Sequence, residues 1–99
     1  MLSLSLIAVI AALHVFAVST CYSQGTITAS GERVHVGIVA QNTLRFGTTI
    51  VLDRPAFGRR TYKVEDRIGA GSQLDIYDPS EAACIRYGRQ RVGYTVVGR

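Results

Sequence analysis

Residues 64–77 read V-E-D-R-I-G-A-G-S-Q-L-D-I-Y. An apolar run ends at Asp66, a short connection with two glycines follows, and a second apolar run opens around Asp75. Two strands joined this way bring both carboxyls to one place on a rigid sheet, where a reactive group is held most firmly. Asp also ends strands and starts turns, so the same two acids serve equally as turn formers.

Outward from this stretch the strand signals are short and regular. Residues 25–29 alternate, with a turn at Ser30-Gly31-Glu32, and residues 34–40 are extended with a bend at Gly37. Residues 48–52 are rich in β-branched side chains, and residues 53–58 carry Pro55 and Gly58 as a hairpin connection. Residues 60–65 lead to Asp66, residues 74–77 form the next strand, and Val92, Tyr94 and Val96 alternate in a last one. One short helix is signalled by Asp78-Pro79-Ser80-Glu81 at its start and Gly88 at its end. Five or six short strands and one small helix predict a closed all-β barrel, which removes exposed sheet edges.

The chain has 99 residues, room for a single domain. Residues 2–18 are almost wholly apolar and uncharged, and residues 1–20 read as a signal peptide or membrane anchor. An exported, periplasmic or envelope location follows, with the folded domain expected over residues 25–99. Cys21 and Cys84 leave three readings open: a disulfide, a free buried Cys84, or a lipidated Cys21 after Val18-Ser19-Thr20. The net charge of +4 rests on ten arginines and Lys63, which suits an anionic polymer. No nucleic-acid-binding motif or stacking platform accompanies that charge. His14 and His35 form no zinc cluster, Cys84 is no nucleophile, and no phosphate-binding glycine loop occurs, so neither metal nor cofactor is expected.

Taken in order, Thr28-Ala29-Ser30-Gly31, Gly37-Ile38-Val39-Ala40, Phe46-Gly47-Thr48, Val64-Glu65-Asp66, Leu74-Asp75-Ile76-Tyr77 and the Cys84-Ile85-Arg86-Tyr87-Gly88 helix resemble the 3D domain, a family named for three aspartates. The chain is similar to the catalytic barrel of membrane-bound lytic transglycosylase A and of stationary-phase muralytic proteins. Asp66 and Asp75 match two of the aspartates, and Asn42 stands where the family carries the first. The resemblance implies a six-stranded double-psi β-barrel that cleaves the β-1,4 bond between N-acetylmuramic acid and N-acetylglucosamine without water, leaving 1,6-anhydro ends. It implies Asp75 as the acid and base, with Asp66 as its charged partner. Thr28, Asn42, Thr48 and Arg67 are the expected substrate contacts, Arg67 toward the carboxylates of murein. The expected partner is the peptidoglycan strand, with the membrane met only through the N-terminal segment or a lipidated Cys21. A catalytically silent wall-binding barrel, or an assembly module of an envelope or phage machine, is the alternative.

Overall fold

A computed structural model describes residues 13–98. Six strands and one helix follow in chain order: β1 (Leu13–Tyr22), β2 (Ile38–Ala40), β3 (Thr49–Ala56), β4 (Arg59–Asp66), β5 (Leu74–Tyr77), α1 (Glu81–Tyr87) and β6 (Gln90–Gly98). They close into a barrel in the order β1-β5-β2-β4-β3-β6.

The domain begins earlier than the sequence suggests. Residues 1–12 of the expected leader lie outside the described residues, but Leu13–Tyr22 is a barrel strand, paired with β5 on one side and β6 on the other. Its inward residues Ala17 and Ser19 are buried, while Phe16, Val18, Thr20 and Tyr22 alternate onto the outer face. Because the outer face also carries apolar side chains, average hydropathy does not separate this strand from a leader. The barrel therefore includes Leu13–Tyr22, ahead of the expected start at Gly25.

Residues 25–29, expected as a strand, make only one isolated bridge, Ile27 to Arg33. Their hydrogen bonds go into a turn instead: the Thr28 hydroxyl accepts from the Glu32 N–H at 3.1 Å, and the Thr28 carbonyl from the Gly31 N–H at 2.9 Å. β3 runs on through Pro55, where its ladder with β4 is irregular and a missing N–H costs nothing. The hairpin is then only Phe57-Gly58, both at positive φ, the geometry that matches the twist of the strands it joins.

The barrel interior is filled from every strand, with Val39, Ile50, Leu52, Val64, Ile76 and Tyr94 at its centre. Pairing repeats between the two halves of the chain. β1, β2 and β3 stand to one another and to their neighbours as β4, β5 and β6 do: β1 is parallel to β5 as β4 is to β2, and antiparallel to β6 as β4 is to β3. β1 and β4 are therefore equivalent strands, and their last residues are Tyr22 and Asp66.

α1 is capped by Ser80, whose Oγ accepts from the Ala83 N–H at 3.1 Å, and not by Asp78. The Asp78 carboxylate instead accepts from the Ser80 N–H, holding the cap in place. Gly88 ends the helix at φ 65°, its N–H bonded to Cys84 O, as its position predicts. No residue of α1 is fully buried, so the helix depends on ties to β1. The strongest is covalent. Cys21 of β1 and Cys84 of α1 form a disulfide. Of the three readings of these cysteines, the free buried thiol and the lipidated Cys21 are set aside, since both sulfurs are taken.

Candidate active site

Strand register explains the site. Thr20 of β1 pairs with Asp75 of β5, Asp75 pairs with Ala40 of β2, and Ala40 pairs with Asp66 of β4. One row thus crosses four adjacent strands as Thr20, Asp75, Ala40, Asp66. Two strand spacings separate the backbones of the acids, about 10 Å. The residue between them is an alanine, so little side chain stands between the two carboxyls. Leu74 and Ile76 are buried in the core, which turns Asp75 to the outer face by the alternation of a strand.

The two acids sit in different surroundings. Asp66 accepts three hydrogen bonds: from Tyr22 OH at 3.0 Å, and from the Ala29 and Arg67 N–H groups at 2.9 Å each. Asp75 has one direct partner. Thr20 Oγ1 stands as donor to two acceptors, its Oδ1 at 2.9 Å and Ser72 Oγ at 2.8 Å, so the one hydroxyl proton is shared between the acid and the serine. Partial burial raises the Asp75 carboxyl above the usual range, the Thr20 hydrogen bond opposes this, and the negative charge of Asp66 adds to it. Burial and the same carboxylate also push the Tyr22 phenol upward, so it remains a donor.

Of the other expected contacts, three are spent on structure. Asn42 bonds the backbone of Ile68 twice, receiving its N–H at 2.7 Å and donating to its carbonyl at 3.0 Å. It ties down the chain leaving Asp66. Thr28 precedes Ala29, which reaches Asp66, but its hydroxyl is engaged by Ser30 and Glu32. Thr48 is buried in the barrel wall, its carbonyl taking the Val64 N–H. Arg67 lies over the Phe46 ring at 3.8 Å and donates to Gln41 O at 2.7 Å. It remains exposed beside Asp66.

Thr20, Tyr22 and Ser72 are site residues that sequence reading missed. Thr20 and Tyr22 belong to β1, which overlaps the expected leader at residues 13–20, and Ser72 meets Thr20 from outside that strand. The signal was present in the alternation of Phe16, Val18, Thr20 and Tyr22 on one face. No family model and no curated protein matches this chain.

Proposed function

We propose that this barrel is a peptidoglycan lytic transglycosylase of the double-psi type, acting from the cell envelope, with Asp75 as its acid and base. The observation that carries the reading is the row Thr20–Asp75–Ala40–Asp66. It sets one carboxyl that partial burial raises above the usual range beside one that accepts three hydrogen bonds, across a small residue on the outer face. The paired halves of the chain, with parallel β1/β5 and β2/β4, support the double-psi topology.

In this reaction protonated Asp75 gives its proton to the glycosidic oxygen, and the bond from that oxygen to the muramoyl anomeric carbon breaks. The muramoyl 6-hydroxyl closes onto the same carbon, and its proton returns to Asp75. One group serves both steps, so its proton affinity must lie near the working pH. Asp66 raises that affinity and takes no covalent part. Thr20 orients the carboxyl, and Ser72 orients Thr20.

The test is a digest of purified murein by the full chain, with soluble fragments read by mass spectrometry and Asp75→Asn run alongside. Anhydro ends released by the wild type only are the expected result. Hydrolysed ends would point instead to a water-activating pair of carboxyls. The engagement of Asn42 with Ile68 favours a second reading, a wall-binding barrel without turnover. Murein binding with no fragments from either folded protein would select it.

A further inference from the structure

Phe16 stands on the outer face of β1, 59 % exposed, two residues from Val18 and four from Thr20. A lone exposed aromatic is ordinary. This one is furnished. The Arg91 guanidinium lies over its ring at 4.9 Å, and His14 meets it edge-on at 4.8 Å. Three adjoining hollows share Phe16 in their walls. One, of about 350 Å³, also takes in Arg54, Tyr87 and Arg91. A second, of about 330 Å³, reaches Asn42, Ile68 and Ser72. The third joins them along Val18, Gln73 and Arg91.

Two routes connect this platform to the acid. Along β1, four residues separate Phe16 from Thr20, about 13 Å of strand. Through the second hollow, Ser72 bonds Thr20, which bonds Asp75. The charge is also uncommitted. Among the described residues the ion pairs are His14 with Asp53 and His35 with Glu32; Asp53, which also lines the first hollow, is held by His14, and neither Arg54 nor Arg91 pairs with a carboxylate. A rigid ring presents its apolar face to the C–H face of a sugar, and an unpaired guanidinium binds a carboxylate in its planar fork.

From this we infer that Phe16 and Arg91 form a distal subsite for a carboxylate-bearing polysaccharide, which lies along the outer face of β1 with its cleaved bond at Asp75. The assignment rests on the transglycosylase reading and names the part of its substrate that this chain grips. Phe16 takes a sugar ring away from the reacting bond, and Arg91 takes the acidic substituent. Short fragments bound at Asp75 do not reach them.

The experiment uses the full chain carrying Asp75→Asn, so that substrate stays intact, and titrates three probes by calorimetry. The probes are a murein tetrasaccharide with its stem peptides, the neutral N-acetylglucosamine tetramer, and a murein disaccharide. Phe16→Ala is expected to weaken both tetramers about tenfold and to leave the disaccharide unchanged, while Phe16→Trp restores binding. Arg91→Gln is expected to weaken the peptide-bearing tetramer and spare the neutral one. Unchanged tetramer affinity in Phe16→Ala overturns the subsite while leaving the transglycosylase reading intact. Equal loss for disaccharide and tetramer overturns it too, since Phe16 would then act through the fold. Phe16-dependent binding in a protein whose wild type releases no anhydro ends keeps the subsite and removes the enzyme.

Discussion

Asp75 and Asp66 are both aspartates at strand ends, and their surroundings differ. Asp75→Asn is expected to lower murein turnover by about 100-fold or more, the usual scale for a lost proton donor, with the barrel intact because asparagine still accepts from Thr20. Its stability should carry a matching sign. A carboxyl raised in the fold contributes fully below its unfolded value, about 4, and loses that contribution as pH rises through its folded value. Asp75→Asn should therefore gain stability relative to wild type between acid and neutral pH, measured by urea unfolding at several pH values. Asp66→Asn removes a charge that raises Asp75. The alkaline limb of the pH–rate profile should then move to lower pH; an unmoved limb would mean that Asp66 only anchors Ala29 and Arg67.

At the scale of elements, α1 is the least self-sufficient part of the fold. It is seven residues long with none fully buried, and it is held by the disulfide and by Tyr87 OH donating to Ser19 Oγ at 2.9 Å. A cross-link spanning 63 residues stabilises by about 4 kcal/mol in the chain-entropy account. The double variant Cys21→Ala/Cys84→Ala should lose most of that in denaturant unfolding. Ser80→Ala removes the N-cap and should cost about 1 kcal/mol, seen as faster amide exchange confined to residues 83–88. Helix boundaries here were legible because caps are local chemistry. Within Asp78-Pro79-Ser80-Glu81 the cap is Ser80, while Asp78 acts one step earlier, on the Ser80 N–H.

At the scale of the molecule, β1 is what closes the barrel. A chain starting at Gly25 lacks both the partner of β5 and β6 and the cysteine that ties α1. It should show no cooperative thermal transition by circular dichroism, whereas the full chain should. Thr20 and Tyr22 leave with that strand, so a folded remnant would still lack the groups that orient Asp75 and Asp66.

Residues 64–77 carried much of their own meaning: alternating Leu74, Asp75, Ile76 and Tyr77 favours a strand with its acid outward, and beyond them Gly88 favours the end of the helix before it. Period-two alternation and cap chemistry act between near neighbours, so sequence alone determined β4, β5, α1 and the presence of both carboxyls. Tertiary structure decided the rest. Thr20 meets Asp75 across 55 positions of chain and Tyr22 meets Asp66 across 44. Such partners are chosen by register between strands that only the closed barrel brings side by side. The same closure makes a strand of residues 13–22, because burial on one face and exposed apolar side chains on the other leave that stretch as hydrophobic as part of a leader.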